Sequence, residues 1–406
     1  MAYETMIPKL EHYTRLVGKD VIKNIRASAE PLQGKHVVHI NATSDGGGVS
    51  EMLDSLVFLM NDIGIRTGWR TLKGSHSFFK ITKAFHNSLQ GRKMKITSNQ
   101  KQIYEEYCKR NSIITHIGDY DLVIIHDPQP LGMIADYEKK STWLWRCHID
   151  LSHPYLDTMK YLLPFIRHYD GVILSSKKFC IKNLRKQQFI IHPSIDPMAQ
   201  KNKKITHAKA RRLLQEAGLD LHKPILSQIS RFDPWKDHFG VMRIYEKVRK
   251  KMDCQLVLMG DMAADDPQGP LIYHEIQEKC KTCPEVTIIT EKNDLLVNAL
   301  QQESALVFQK SFREGFALTV SEAMWKYTPV LGTDTGGIPL QIKDGETGYL
   351  IKSENDAVKK AVKLLDDKEL RVRLGKEGHE HVKKNFLITR HLQDYVNLFN
   401  RYLRKP

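Results

Sequence analysis

Short, unbroken apolar runs alternate with amphipathic stretches along most of this 406-residue chain. Apolar runs without a polar residue at every second position are typical of strands buried on both faces, as in a parallel sheet covered by helices. In the first half, the predicted strands are residues 36–42, 68–72, 121–126, 142–147, 171–175 and 189–192. The predicted helices between them are residues 49–63, 154–168 and 178–186. The first half therefore predicts an α/β domain built on a parallel sheet.

A polar, lysine-rich stretch at residues 194–205 reads as a linker, and the alternation then restarts. The predicted strands of the second series are residues 225–229, 255–259, 286–290, 305–308, 330–333 and 348–351. The predicted helices are residues 238–251, 270–281, 294–302, 320–327 and 356–365. Two such series predict two Rossmann-like, doubly wound parallel-sheet domains that face a central cleft. We expect domains at residues 1–200 and 201–385, with a helix at 386–406 that crosses back to the first.

Composition narrows the class of protein. Hydrophobic residues make up 41% and charged residues 27%, and no apolar run reaches the ~20 residues of a membrane span. The N-terminus lacks the pattern of a secretory signal, so we expect a cytoplasmic protein. Cys280 and Cys283 form a CxxC without a second ligand pair, which favours two helix cysteines over a zinc site. The net charge of +15 is spread along the chain, which favours phosphorylated ligands over nucleic acid or membranes.

Two loops that follow predicted strands carry residues suited to anions. Gly47 and Gly48 belong to a run of glycines before a helix start, whose free N–H groups could meet a phosphate or a sugar hydroxyl. A plain tight turn explains these glycines equally well. Arg231 and Lys236 follow another strand, at the edge where open α/β sheets bind ligands, and both could hold a diphosphate. Two ordinary surface charges remain the alternative.

Two carboxylates, Glu314 and Glu322, flank a predicted helix start. A retaining glycosidase needs its carboxyl groups about 5 Å apart. Eight helical positions separate these two by about 12 Å, so we expect them to contact different parts of a long ligand. The helix start between them can face a diphosphate. Gly260 and Asp261 form a further turn after a strand, which by itself is a weak signal.

His148 ends a predicted strand of the first domain and is expected to face the cleft. A lone histidine is more often structural, and Asp150 and His153 compete with it for any role.

Taken in order, these motifs resemble the large retaining glycosyltransferase family that includes sucrose synthase and has the two-domain GT-B fold, classed as glycosyltransferase family 4. The resemblance rests on the glycine loop, the Arg231 and Lys236 pair, and the segment EGFALTVSEA, which runs from Glu314 to Ala323. The segments HINATSDGGGVSEML, WLWRCHIDLSHP and SRFDPWKD are similar to those of the trehalose glycosyltransferring synthases. Fungal retaining trehalose phosphorylases are similar here too.

This resemblance implies roles for individual residues. Arg231 and Lys236 match positions that hold the diphosphate, Glu322 matches the carboxylate that binds the ribose, and Glu314 matches the group that grips the donor sugar. His148 matches a histidine near the anomeric centre. The implied catalytic set is Glu314, His148, Arg231 and Lys236. The implied donor-binding set is Gly47, Gly48, Arg231, Lys236, Gly260, Asp261, Gly315, Phe316, Ala317, Leu318 and Glu322.

The resemblance also implies a chemistry. Glucose would move from a nucleoside diphosphate glucose such as UDP-glucose to free glucose, giving α,α-trehalose in a front-face reaction that retains the anomeric configuration and is open to reversal. No DxD clamp is evident, so we expect no metal and no other cofactor. A trehalose phosphorylase, transfer to another small acceptor and a non-catalytic nucleotide-sugar binding protein stay open as alternatives. The preferred base and a homodimer are also left open.

Overall fold

Two six-stranded parallel sheets organise the chain. A computed structural model describes residues 7–44, 47–260 and 269–403. The first sheet has the strand order β2-β1-β3-β4-β5-β6 and the second has the order β12-β11-β10-β7-β8-β9. The strands are β1 His36–Asn41, β2 Arg66–Thr71, β3 Leu122–His126, β4 Thr142–Cys147, β5 Gly171–Leu174, β6 Gln187–Ile190, β7 Ile225–Ile229, β8 Gln255–Met259, β9 Val286–Ile289, β10 Leu306–Gln309, β11 Val330–Thr333 and β12 Tyr349–Ile351.

Helices connect these strands and cover the sheets. They are α1 Thr14–Val17, α2 Lys19–Ala29, α3 Gly48–Asp62, α4 His76–Leu89, α5 Ser98–Ile114, α6 Leu156–His168, α7 His207–Glu216, α8 His238–Arg249, α9 Gly269–Cys280, α10 Asp294–Glu303, α11 Leu318–Trp325, α12 Ile338–Gln341, α13 Glu354–Asp366, α14 Lys368–Asn385 and α15 Ile388–Leu403. Short 3-10 helices lie at Leu10–Tyr13, Glu30–Leu32, Ile117–Asp119, Leu131–Ile134, Lys177–Phe179 and Pro234–Lys236. None of the helices described is both long enough and apolar enough to span a membrane.

The first sheet is buried on both faces, as its unbroken apolar strands predict. All five residues of β3 are buried, and successive residues enter different cores. Ile124 packs with Leu144 on one face, whereas Ile125 packs with Trp145 on the other. This alternation follows from the two-residue period of a strand.

The chain divides into two units, residues 1–194 with 388–406 and residues 195–387. The helix α15 packs on α2 and α3, and its buried residues Tyr395 and Phe399 join a core of the first unit. The predicted linker is fastened to the second unit, because Asn298 donates hydrogen bonds to the carbonyls of Gln200 and Lys203 at 2.9 and 2.8 Å. The two α/β domains with doubly wound parallel sheets that the sequence predicts are confirmed by this pair of sheets.

One predicted helix, at residues 178–186, is wrong. The structure has only the 3-10 helix Lys177–Phe179 there, followed by turns. The backbone of Asn183 is left-handed, with φ of 61°, which interrupts a helix. The side chain of Gln188 also replaces helical hydrogen bonds, since it accepts from the Ile181 amide at 2.8 Å and donates to the Ile181 carbonyl at 3.0 Å. The helices α2, α4, α5 and α7 were not predicted from the sequence.

Candidate active site

The loop that follows β7 is fastened to the loop that follows β10. Asp233 caps the 3-10 helix Pro234–Lys236 by accepting a hydrogen bond from the Trp235 amide at 2.8 Å. The Trp235 carbonyl in turn accepts from the Phe312 amide, also at 2.8 Å. These two contacts fix the end of the 3-10 helix beside the β10 loop and bring the Lys236 side chain to it.

Glu314 and Lys236 form a nearly buried ion pair. Lys236 Nζ lies 2.5 Å from Glu314 Oε2, and the two side chains are only 16% and 9% exposed. The same carboxylate oxygen accepts from Ser311 Oγ at 3.1 Å and from Gln309 Nε2 at 3.2 Å. No described residue donates to Glu314 Oε1. A buried charge pair needs such additional hydrogen bonds to offset its desolvation, and here they hold one oxygen and leave the other available to a ligand hydroxyl.

The helix α11 begins with backbone amides that bond to no residue in the described part of the chain. The amides of Gly315, Phe316, Ala317 and Leu318 donate to no other described residue. Ala317 caps the helix with a left-handed backbone, φ 69°, a strained conformation for a residue with a side chain. Gln341 holds this conformation by donating to the Phe316 carbonyl at 2.5 Å. Free amides at a helix start form a favourable site for an anion.

Two glycines of the loop after β11 press against this stretch. A Cβ on Gly336 would lie 1.6 Å from the Glu314 carbonyl oxygen, and a Cβ on Gly337 would lie 2.7 Å from the Gly315 carbonyl oxygen. Gly336 also has a left-handed backbone, with φ of 56°. Only glycine fits at the first position, so this loop fixes the backbone around Glu314 from behind.

Arg231 is half-exposed and makes no hydrogen bond or ion pair with another described residue. The strand end that precedes it is tied to α11, because Thr319 Oγ1 donates to the Ile229 carbonyl at 3.1 Å. The structure thus brings the loop that carries Arg231 and Lys236 together with Glu314 and the start of α11.

Gly260 needs no ligand to explain it. It follows β8, and a Cβ there would lie 2.0 Å from the Ser230 carbonyl oxygen, so the neighbouring loop alone requires glycine. Asp261, which was predicted to contact the donor, lies outside the described residues.

Glu322 is held by partners of its own. It is 4% exposed, and its Oε2 accepts from Gln301 Nε2 at 2.8 Å. Lys326 Nζ donates to Gln301 Oε1 at 2.8 Å and to Asn202 Oδ1 at 3.0 Å, and desolvation lowers the pKa of Lys326 to about 7. Glu314 and Glu322 share no hydrogen-bond partner in the part of the chain that the structure describes. The two carboxylates are therefore positioned independently.

In the first unit, the predicted glycine loop lies at the start of α3. Gly47 has a left-handed backbone, φ 95°, and its carbonyl accepts from Ser50 Oγ at 2.9 Å, while Gly48 is the first helical residue. A Cβ on Gly47 would meet nothing within 4 Å. The requirement for glycine is thus conformational, and the space beside it is open.

His148 is the outer end of a chain of three histidines. His148 Nε2 lies 2.9 Å from His126 Nδ1, and His126 Nε2 lies 2.9 Å from His39 Nδ1. Burial lowers the pKa of His39 to about 3, and desolvation lowers the pKa of His126 and of His148 well below its usual 6.5. All three rings are therefore neutral at neutral pH.

Asp127 lies directly beside this chain, and sequence reasoning missed it. Its Oδ1 accepts the His148 amide at 2.7 Å, and its backbone is left-handed, with φ of 63°. Desolvation raises the pKa of its carboxyl to about 7. A strained, partly protonated carboxyl at a strand end is typical of a functional position. The signal in the sequence was the pair His126-Asp127 at the end of β3.

Comparison with known proteins identifies the family. Residues 39–181 match the family described as trehalose synthase, N-terminal domain, and residues 210–381 match glycosyl transferases group 1. The chain is 42% identical to a trehalose synthase of Thermococcus litoralis over 97% of each chain. This chain belongs to the trehalose synthase family. A trehalose phosphorylase of Pleurotus pulmonarius is 28% identical, with 87% of this chain and 55% of that protein covered.

Solved structures share the fold of this trehalose synthase family member at low sequence identity. The sucrose-phosphate synthase of Thermosynechococcus elongatus superposes with a TM-score of 0.72 at 16% identity, over 90% of this chain and 98% of that chain. The structure described as "Trehalose-6-phosphate from E. coli bound with UDP-2-fluoro glucose" gives a TM-score of 0.74 at 12% identity, over 92% and 100%. These superpositions confirm the GT-B fold. The match to glycosyl transferases group 1 and the 42% identical relative make the chain a glycosyltransferase.

The remaining sequence candidates have structural explanations in this trehalose synthase family member. Asp150 Oδ1 accepts from the amide and the hydroxyl of Ser152, at 2.9 and 2.5 Å, and forms a local turn. Cys280 ends α9 and Cys283 follows it in a turn, and both thiols are free. Within the described ranges, no group of three or more His, Cys, Asp or Glu is arranged to hold a metal ion.

Proposed function

We propose that this protein transfers glucose from a nucleoside diphosphate glucose to free glucose and so forms α,α-trehalose with retention of configuration. The observation that carries the proposal is the arrangement at the start of α11. The Glu314–Lys236 ion pair stands next to four amides that have no partner among the described residues, and the Arg231 side chain follows the neighbouring strand. The names of the relatives supply the product, trehalose.

The donor would be held along α11. The free amides and Arg231 are suited to the diphosphate, because both donate to phosphate oxygens and carry positive charge or its dipolar equivalent. Glu314 Oε1 is suited to a hydroxyl of the sugar. Glu322, fixed by Gln301, is suited to the ribose hydroxyls. The separate positioning of the two carboxylates supports this division between the two ends of the donor.

The reaction would proceed on one face of the sugar. The bond from the anomeric carbon to the phosphate oxygen breaks, and a bond from the acceptor hydroxyl oxygen forms on the same face. The proton of that hydroxyl passes to the leaving phosphate oxygen, so the nucleoside diphosphate departs with both the electron pair and the proton. Arg231 and Lys236 stabilise the charge that develops on the phosphate. Neither Glu314 nor Glu322 serves as a covalent nucleophile in this scheme.

We propose that the reaction needs no metal ion, because the two cationic side chains and the helix start supply positive charge to the diphosphate. In the first unit, we propose that His148 contacts a sugar hydroxyl and that the open backbone at Gly47 and Gly48 approaches the ligand.

The test offers uridine, adenosine and guanosine diphosphate glucose in turn, each with free glucose and excess EDTA. We expect a non-reducing disaccharide and one equivalent of nucleoside diphosphate, with both anomeric carbons in the α configuration by NMR. Activity that disappears with EDTA and returns with Mg²⁺ would refute the metal-independent proposal. No turnover with any donor would refute transfer from a nucleotide sugar.

Phosphorolysis is the second candidate, because a trehalose phosphorylase matches over 87% of this chain. The same protein is therefore offered trehalose with inorganic phosphate and, separately, with each nucleoside diphosphate. Glucose 1-phosphate formed with phosphate alone would identify a phosphorylase. A nucleotide sugar formed only with a nucleoside diphosphate would identify the proposed reaction running in reverse.

A further inference from the structure

The histidine chain constrains the proton of His148. Each hydrogen bond in the chain joins two ring nitrogens, so one nitrogen must carry a proton and the other must offer a lone pair. A neutral imidazole carries one proton on one of its two nitrogens. Because all three rings are neutral, the choice at one ring fixes the choice at the next two.

Only two arrangements satisfy both hydrogen bonds. In the first, His39 donates from Nδ1 to His126, His126 donates from Nδ1 to His148, and His148 keeps its proton on Nδ1. In the second, every proton moves to the other nitrogen, so His148 carries its proton on Nε2 and His39 carries one on Nε2. His148 is the one partly exposed ring of the three, and its Nδ1 bonds to no other described residue. At Nδ1 of His148, the first arrangement therefore presents a hydrogen-bond donor to a ligand, and the second presents an acceptor.

The buried ring at the inner end of the histidine chain, His39, determines which arrangement is the more stable. His39 is completely buried, and its Nε2 has no hydrogen-bond partner in the part of the chain that the structure describes. The second arrangement would place an unpartnered N–H there, whereas the first leaves only a lone pair. Among backbone groups, a buried N–H without a partner is rarer in proteins than a carbonyl oxygen without one, and an unpartnered ring N–H has a comparable desolvation cost. The first arrangement is thus the more stable.

The surrounding charges keep the three histidine rings neutral, and they leave the first arrangement the more stable of the two. The Arg146 guanidinium is completely buried near the chain, and after desolvation its charge contributes to the lowered pKa of His126 and of His148. Asp127 takes the backbone amide of His148 and makes no hydrogen bond to its ring. Protonation of any ring would add a second positive charge beside Arg146 in a desolvated region, which is unfavourable.

We propose that His126 and His39 are positioning residues that hold the proton of His148 on Nδ1, so that His148 presents a hydrogen-bond donor to a sugar hydroxyl oxygen and does not act as a base. The choice of ligand rests on the proposed function, whereas the position of the proton does not. Partners that fix the tautomer of a histidine are worth about 10- to 100-fold in metal sites, and we expect a loss of kcat of that order here when the chain is broken.

The first measurement is nitrogen NMR of the full-length protein labelled with ¹⁵N-histidine. The His148 signals are assigned by their loss in His148→Asn. We expect a protonated Nδ1 and an unprotonated Nε2 for His148 in the free protein, and a shift toward protonated Nε2 in His126→Ala. A protonated Nε2 in the unsubstituted protein would overturn the proposal. This measurement needs no turnover, so it stands even if the proposed reaction is wrong.

The second measurement is chemical rescue of His126→Ala. Imidazole can accept from His39 and donate to His148, whereas 1-methylimidazole can accept but has no N–H to donate. We expect imidazole to restore both the His148 tautomer and most of the lost kcat, and 1-methylimidazole to restore neither. Equal rescue by both compounds, or a restored kcat with an unchanged tautomer, would contradict the proposal.

Two further variants separate positioning from folding. His126→Gln keeps a hydrogen-bond acceptor and a donor on one side chain. It should therefore retain a higher kcat than His126→Ala, whereas the two variants should have the same melting temperature. His379→Ala removes a buried histidine of the second unit, which bonds to the Trp325 carbonyl at 2.6 Å, and serves as the control. Imidazole should leave the kcat of His379→Ala unchanged, and a general increase there would overturn the rescue argument.

Discussion

The two units place their candidate residues at the carboxyl ends of parallel sheets, but they treat charge in opposite ways. The first unit gathers histidines that desolvation keeps neutral, in a chain joined by two hydrogen bonds of 2.9 Å. The second unit gathers an ion pair and backbone amides at the start of α11, and Arg231 follows the neighbouring strand; among the described residues, neither these amides nor Arg231 has a hydrogen-bond partner. One fold type thus supplies a neutral site of fixed hydrogen-bond direction and a charged site that can stabilise an anion.

Because the two units differ in charge, substitutions in one unit should have different effects from substitutions in the other. Changes in the second unit alter charge where we propose that the donor's sugar–phosphate bond breaks, so they should act on kcat and on donor affinity. Changes in the first unit alter proton positions and burial, so they should also act on how stability depends on pH.

The largest effect is expected from Glu314→Gln. The substitution removes the carboxylate that we propose binds the donor sugar, and it leaves Lys236 nearly buried without its counter-charge. We expect kcat to fall by about 100- to 1,000-fold, the usual loss when one preorganised electrostatic group is removed. Steady-state kinetics of trehalose formation measure it.

The control is Glu303→Gln in the same unit. Glu303 Oε1 is also held by a partner, His207 Nδ1 at 2.6 Å, and its side chain is 11% exposed. It should keep kcat within about twofold, since changes away from the reacting atoms cost little. If both variants lost kcat equally, the charged site would have no special role.

A smaller and different effect is expected from Glu322→Gln. The change keeps the size of the side chain but replaces by an amide the carboxylate that we propose accepts from the ribose. A hydrogen bond to a charged group is worth roughly 1.5–3 kcal/mol. The KM for the nucleotide sugar should rise about 10- to 100-fold, with little change in kcat. Equal, small effects of Glu314→Gln and Glu322→Gln would refute the division of roles between the two carboxylates.

The strands and the glycines of this fold were predictable because their signals are local. The unbroken apolar run of β3 predicts a buried strand from its own five residues. Gly47 and Gly48 were predicted to stand before a helix start, and the structure places Gly47 as the N-cap of α3 with a left-handed backbone. The helix predicted at residues 178–186 is wrong because the side chain of Gln188 bonds to the backbone amide and carbonyl of Ile181. A helical pattern in the sequence does not reveal such a contact.

The partners of the candidate residues were not predictable, since they come together only in the folded chain. His39 and His126 lie 87 positions apart, and Lys236 and Glu314 lie 78 apart. The sequence shows a histidine in an apolar strand, which is compatible with any buried polar contact. Only the register of β1 beside β3 places one ring against the next and makes a chain of them.

The next prediction tests the neutral site through acid stability. The native pKa of His39 lies at about 3, below the 6.5 of an unfolded histidine. The stability that this ring contributes is therefore complete above pH 6.5 and is lost as the pH falls toward 3, by about 1.4 kcal/mol per pH unit. Between pH 6.5 and pH 5, the unfolding free energy of His39→Gln should therefore fall by roughly 2 kcal/mol less than that of the unsubstituted protein.

Urea unfolding over this pH range measures the change. The control is Ser88→Ala, which breaks a buried 2.7 Å hydrogen bond to Thr158 in the same unit but removes no titrating group. Its unfolding free energy should be offset from the unsubstituted protein by a constant amount at every pH. A curve for His39→Gln that runs parallel to that of the unsubstituted protein would refute the buried, neutral state of this ring.

The smallest effect is expected from Thr319→Val, which removes the 3.1 Å hydrogen bond between α11 and the end of β7. One such bond is worth about 1 kcal/mol, so the KM for the nucleotide sugar should rise about fivefold as the Arg231 loop loosens from the helix start. Thr82→Val is the matched control, because Thr82 is buried in the first unit and donates to the Phe79 carbonyl at 3.2 Å. It should lower the melting temperature without changing that KM. If Thr82→Val raised the KM as much, donor affinity would depend on general stability, and the contrast between the two units would not hold.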